Sequence, residues 1–257
     1  VDTYRRTFQD RQKGVIGIAN NCDWREPLTG TGADKNAAER AVEFFLGWFT
    51  DPVHRGDYPD SMKARVGGRL PRFTPEDRAL IQGSVDYFGL NHYTTMYASE
   101  PQGQIPLPED VESNSGLSED HGVILSTDDN WPKTEMGWSI VPWGCRKLLE
   151  WIDARYDRPE IWLTENGCAM KDEWTGDTVD DAGRVDFLKR YLAECHAAIQ
   201  KGIRLKGYFV WSFLDNFEWC SGYSKSFGLY YVDFPTGRRI PKTSAQWYRN
   251  VIRQNGL

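Results

Sequence analysis

The chain has 257 residues, with 31 basic and 37 acidic side chains and a formal net charge of −6, which is long enough for one large domain with a buried core. The acidic balance, a mean hydropathy of −0.61 and the lack of a clustered basic stripe argue against a nucleic-acid partner, and no apolar run reaches the length of a membrane span. The cysteines (Cys22, Cys145, Cys168, Cys195, Cys220) are odd in number and form no Cys-x-x-Cys pair, which favours free thiols in a reducing, cytoplasmic compartment over disulfides or a zinc site; no metal or cofactor is expected.

Residues 1–12 place Tyr4 and Phe8 at helical spacing among charges, like the end of an amphipathic helix already under way, so the chain reads as a piece of something longer. Gly14 to Ala19 is a short apolar run that stops at Asn20-Asn21, as a buried strand does. Ala37 to Trp48 is apolar at helical spacing, and Thr74-Pro75-Glu76-Asp77 is a helix start, with Thr74 as cap and acids facing the dipole. A second strand, Val85 to Leu90, ends at Asn91-His92-Tyr93. From Ser99 to Lys133 the chain is polar and aperiodic, and reads as a lid-like loop above the sheet edge. Beyond it lie a helix over Gly144 to Tyr156, a strand from Ile161 that ends at Glu165, and a helix over Val185 to Ile199. A fourth strand, Leu205 to Val210, ends at Trp211-Ser212; a hairpin at Tyr230 to Gly237 and a closing helix, Ser244 to Ile252, complete the chain.

Strands that alternate with helices imply a parallel sheet with crossover helices. In such sheets and barrels the chemistry sits at the carboxyl ends of the strands. Glu165, just before the Asn166-Gly167 break, therefore stands where a catalytic carboxylate would; an acid that caps a turn or pairs with an Arg is the competing reading. An eightfold barrel fits in about 250 residues when its loops are short. Here long loops let four units use up the chain, so it reads as one domain over residues 1–257 that is half of a barrel. The inner faces of its strands, with Ile16, Ile18, Leu90 and Phe209 as examples, are then expected to lie open to water.

The order of several segments resembles the carboxyl-terminal half of family 1 glycoside hydrolases, the β-glucosidase family. They are Gly17-Ile18-Ala19-Asn20-Asn21, Trp24-Arg25-Glu26-Pro27, Gly89-Leu90-Asn91-His92-Tyr93, Met136-Gly137-Trp138, Leu163-Thr164-Glu165-Asn166-Gly167, and Trp211 to Trp219 followed by Gly222-Tyr223 and Phe227-Gly228. The resemblance implies a TIM-type (β/α)8 barrel, of which this chain supplies about the last four βα units, strands 5 to 8. It implies Glu165 as the nucleophile of a retaining reaction, Tyr93 as the hydroxyl that orients it, and Asn91 as a polar neighbour. It implies Glu218 and Trp219 on sugar hydroxyls far from the reacting carbon, Trp211 beneath the sugar ring and Trp138 on the wall towards the leaving group. A Glu between Phe217 and Trp219 is hard to explain as core, because an unpaired buried charge is costly; Phe217, Tyr208 and Phe209 read equally well as core aromatics. Glu218 and Phe227 together imply an unphosphorylated sugar.

The implied activity is hydrolysis of terminal non-reducing β-D-glucosyl residues, with β-galactosyl and β-fucosyl residues beside them. The family's acid/base glutamate lies in a Thr-x-Asn-Glu-Pro motif that this sequence lacks; its Glu-Pro, Glu26-Pro27, matches another segment. The acid is therefore expected from a complementary amino-terminal half-barrel, or the chain pairs with itself, and alone it is expected to be inactive. Two other readings remain open: a catalytically inactive half-barrel that serves as a sugar-binding or assembly module, and a thioglycosidase-like member of the family.

Overall fold

The computed structural model describes residues 1–103, 115–174 and 178–257. Its centre is a four-stranded, all-parallel sheet of β1 (Gly17–Asn21), β3 (Tyr87–Asn91), β6 (Ile161–Asn166) and β9 (Leu205–Val210), adjacent in chain order. Each expected strand is present, with ends displaced by one residue or a few; the first starts at Gly17 rather than Gly14. Crossover helices cover one face. The helix Pro142–Arg155 opens on a proline, whose missing N–H costs nothing in a first turn. It turns Cys145, Leu148, Leu149 and Ile152 inward, and Ala182–Gln200 does the same with Phe187, Leu188, Tyr191 and Cys195. Between these helices and the sheet lie Phe88, Leu90, Ile161 and Leu163, none more than 1% exposed. Burial of each such side chain stabilises the fold by about 1.5–3 kcal/mol.

Leu90 thus belongs to the helix-covered face, which corrects its assignment to the open one. Ile18 is directly opposite Phe88 in the ladder, and opposed residues share a face, so it too points to the helix side; it is 40% exposed because β1 is an outer strand. The face away from the helices carries a row of rings, Tyr87, Trp162 and Phe209, with centroids 6.0 and 6.1 Å apart, and Phe209 is 52% exposed. Sequence periodicity alternates faces but does not say which one the helices cover.

The expected helix Ala37 to Trp48 is longer, running as Gly32–Val42, a π-helical turn Glu43–Gly47, and Trp48–Arg55. Thr31 caps its start by accepting from the Asp34 N–H at 3.3 Å, and Gly56, at φ +82°, ends it in the left-handed region that favours glycine. Thr74 and Asp77 form the reciprocal capping box of the Pro75–Ile81 helix. A two-residue antiparallel ladder, β7 (Glu173–Trp174) with β8 (Val179–Asp180), follows β6; the hairpin is formed by β10 (Tyr230–Asp233) and β11 (Arg238–Pro241), and the closing helix is Thr243–Gln254.

The expected lid-like loop is in part regular structure. A second sheet of β2 (Trp24–Pro27), β4 (Thr95–Ser99) and β5 (Ile124–Ser126) takes its first two strands as continuations of β1 and β3. A helix, Ser115–His121, also falls in that stretch, while residues 104–114 lie outside the described ones. These pieces are too short to register as periodicity. The Asp23 carboxylate ties the β1–β2 and β3–β4 turns together, accepting from the Tyr93 and Thr94 N–H groups at 3.1 and 2.9 Å. Among the described residues no helix is long and apolar enough to cross a membrane. All five cysteines are free, four buried and Cys220 exposed.

Candidate active site

At the carboxyl end of the parallel sheet, β3 and β6 change register between Leu90 and Asn91, so that Asn91 lies opposite Glu165. The Asn91 Oδ1 accepts from the Thr164 hydroxyl at 2.6 Å, which fixes the amide beside the acid. Tyr93, in the turn after β3, donates its hydroxyl to Glu165 Oε2 at 2.6 Å. Such a short bond fixes the orientation of the carboxyl group. Burial first, then the hydrogen bond to Glu165 and the charges of Glu165 and Glu218, push the Tyr93 phenol far above its ordinary range. It is therefore a neutral donor at any working pH.

Asn166, next to Glu165, is fully buried, donating to His92 O at 2.7 Å and accepting from the Tyr208 hydroxyl at 2.6 Å. These bonds lock the strand end that presents Glu165, a role not assigned from sequence. Gly167 explains itself by close approach. A Cβ there would lie 1.8 Å from the Trp211 carbonyl oxygen, while the Trp211 N–H donates to Asn166 O at 3.0 Å. The ends of β6 and β9 are thus drawn together, and Trp211 is brought to the site.

The Trp211 indole donates to Glu218 Oε1 at 3.1 Å. Glu218 is 6% exposed, and burial pushes its carboxyl above the ordinary range, partly offset by the Trp211 bond and reinforced by Asp215 and Glu165. Phe227 is buried at the back, its ring 6.4 Å from Tyr93 and 6.0 Å from Trp138, with Tyr93 and Trp138 5.4 Å apart. Trp138 rides on a turn in which Thr134 N–H donates to Trp138 O at 2.9 Å and Gly137, at φ +76°, allows the reversal. Trp219 differs. Its indole is 81% exposed and, among the described residues, makes no ring contact.

Of the residues singled out from sequence, Asn91, Tyr93, Trp138, Glu165, Trp211, Glu218 and Phe227 converge on one end of the sheet, and Trp219 stands beside them in solvent. Of the proposed core aromatics, Tyr208 is half-buried, whereas Phe217 and Phe209 are 56% and 52% exposed. Missed were Asp23, Asn166 and a buried ion cluster around Lys242; the signal available was Asp215, a charge set between Leu214 and Phe217 in an apolar loop. Among the described residues no group of His, Cys, Asp and Glu is arranged to hold a metal ion. Two carboxylates with a neutral phenol donor and aromatic walls suit the binding of a neutral, hydroxyl-rich ring and attack on it by an ionised acid.

The glycosyl hydrolase family 1 model matches residues 1–257. Beta-glucosidase 42 of Arabidopsis thaliana is 41% identical over 262 residues, covering 98% of this chain and 52% of that protein. Oleuropein beta-glucosidase of Olea europaea is 39% identical, covering 98% and 46%. Among solved structures, the family 1 β-glucosidase of Thermotoga maritima superposes with a TM-score of 0.86 at 38% identity, covering all of this chain and 54% of that one. The β-glucosidase of Trichoderma harzianum gives 0.87 at 35% identity, covering 98% and 54%. The chain spans about half the length of the relatives it matches. Those structures are TIM barrels, and the four parallel strands form part of such a (β/α)8 barrel. The chain belongs to glycosyl hydrolase family 1.

Proposed function

We propose that this chain is the nucleophile-bearing half of a retaining β-glucosidase. The observation that carries the reading is the 2.6 Å bond from the Tyr93 hydroxyl to Glu165 at the end of β6. In the proposed reaction the Glu165 carboxylate attacks the anomeric carbon as the glycosidic C–O bond breaks. The leaving oxygen takes a proton from a second carboxylic acid, and a glycosyl ester on Glu165 results. That second group, now a carboxylate, removes a proton from water, which attacks the same carbon and frees Glu165. Retaining enzymes hold the two carboxyls about 5–5.5 Å apart. Glu218, held by the Trp211 indole, is assigned to the sugar's remote hydroxyls with Trp219, Trp211 to the ring face and Trp138 to the leaving-group side. Asn91 holds its place beside the nucleophile, and Phe227 closes the back of the site. A phosphate on the sugar would meet the Glu218 charge, so the substrate is an unphosphorylated β-glucoside or a β-linked oligosaccharide.

The acid/base carboxyl is assigned to a complementary polypeptide. Among the described residues β1 and β9 have no further strand beside them, and unpaired edges seek partners. Phe209 is 52% and Phe213 65% exposed, and Phe213 lines a groove of about 640 Å³ with Tyr230, Tyr248 and Ile252. An amino-terminal half-barrel that supplies further strands would cover these surfaces and close the sheet. The test joins light scattering to an assay on 4-nitrophenyl β-glucoside. The chain alone should self-associate or aggregate and show little turnover, and addition of the complementary half should yield an active one-to-one complex. Full turnover by a 29.6 kDa monomer would overturn the assignment of the acid.

A further inference from the structure

Beneath the loop that carries Glu218 lies a buried charged cluster that none of the steps above uses. Lys242 is 0% exposed. Its Nζ lies 2.9 Å from Asp215 Oδ1 and 2.8 Å from Asp172 Oδ2, and donates to Ser226 Oγ at 2.5 Å. The Ser226 hydroxyl is within reach of the same two carboxylates, 2.5 Å from Asp172 Oδ2 and 2.8 Å from Asp215 Oδ1. It has one proton to give, so only the ammonium can satisfy both acids at once. Asp215 also accepts from the Gly228 N–H at 2.8 Å. A second cation, fully buried Arg184, pairs with Asp181, lies 3.4 Å from Asp172 Oδ1, and donates to Ser226 O at 2.7 Å. Three carboxylates thus face two cations, and without Lys242 they would face one. Breaking a buried pair by removal of one partner leaves an uncompensated charge, which is the costly case.

The acids sit on the two segments that matter for the site. Asp172 lies in the segment that follows Glu165 and β6, and Asp215 lies in the Trp211–Glu218 loop. We propose that Lys242 is a positioning residue for sugar recognition. By bridging Asp172 and Asp215 it fixes the Trp211–Glu218 loop against the end of β6, and so sets where the Glu218 carboxylate meets the hydroxyls of the sugar remote from the anomeric carbon. Trp211 Nε1 to Glu218 Oε1, 3.1 Å, is the contact that registers this placement. The inference rests on the β-glucosidase reading, and the experiment separates the two.

In the enzyme assembled from both halves, Lys242→Met, Ser226→Ala and Glu218→Gln are compared on 4-nitrophenyl β-glucoside and its 6-deoxy analogue, with the Trp211 indole N–H followed by NMR. Lys242→Met should lose about tenfold or more in kcat/KM on the glucoside, mostly through KM, because displacement of a positioning group by even an ångström is expensive. On the 6-deoxy substrate the loss should be about twofold, because the hydroxyl served by Glu218 is gone and the two changes are coupled. Glu218→Gln should shift the substrate ratio in the same direction, and Ser226→Ala should do so more weakly. Equal losses on both substrates, or an unmoved Trp211 resonance, overturn the proposal. If Lys242→Met does not fold, Ser226→Ala decides it, and an unchanged substrate ratio there counts against it. Wild-type enzyme that hydrolyses neither glucoside refutes the β-glucosidase reading instead, while the Trp211 signal still judges the role of Lys242.

Discussion

Tyr93→Phe removes one hydrogen bond and little else. The ring keeps its packing on Trp138 and Phe227, at centroid distances of 5.4 and 6.4 Å. The 2.6 Å bond to Glu165 is lost. Hydrogen bonds to charged groups contribute about 1.5–3 kcal/mol, and because both partners are only half-buried the lower end applies. About 1.5 kcal/mol is about a tenfold change in rate. The bond holds the Glu165 carboxyl in the orientation from which it attacks, so kcat/KM of Tyr93→Phe should fall by about tenfold. The assay compares the assembled variant and wild-type enzymes on 2,4-dinitrophenyl β-glucoside, whose leaving group needs no proton, so that the loss reports the nucleophile alone. Equal kcat/KM in Tyr93→Phe and wild type would show that the bond does not position Glu165.

Burial raises the Glu218 carboxyl, and it must be ionised to accept from sugar hydroxyls, so KM for β-glucosides should rise as pH falls, starting above the ordinary glutamate range; Glu218→Gln should abolish that dependence, as steady-state assays across pH would reveal. Gly167→Ala places a Cβ 1.8 Å from the Trp211 carbonyl, so the ends of β6 and β9 must part, and a urea titration of the assembled enzyme should find it destabilised by about 2 kcal/mol or more. Leu163→Ala empties a fully buried site between sheet and helices, with an expected cost of about 2–5 kcal/mol in the same titration. A β-glucoside should be hydrolysed faster than its 6-phosphate, and the reverse order would count against the role given to Glu218.

The four core strands were legible because each is a short apolar run that stops at a polar or turn residue, as at Asn91 and Glu165. The helices were legible from a start signal, as at Thr74, or from apolar spacing, as over Gly144 to Tyr156, whose observed start at Pro142 was missed by two residues. The second sheet was not, because β2, β4 and β5 run over only three to five residues each and depend on tertiary pairing rather than pattern. Leu90 was given the wrong face because alternation fixes which residues share a face, not which face the helices take. The site was legible as residue types at strand ends, and Tyr93 and Glu165 do meet. The cluster of Lys242, Asp172, Asp215 and Ser226 was not, since its members are far apart in sequence and only the fold brings them within 3 Å.

Covalent trapping identifies the nucleophile of a retaining enzyme, here assigned to Glu165. The assembled enzyme is inactivated with 2,4-dinitrophenyl 2-deoxy-2-fluoro-β-glucoside, digested, and the labelled peptide sequenced by mass spectrometry. One fluoroglucosyl ester is expected, on Glu165, absent from Glu165→Gln and released on reactivation with an acceptor sugar. A label on Glu218, or none on a preparation that turns over β-glucosides, would contradict it.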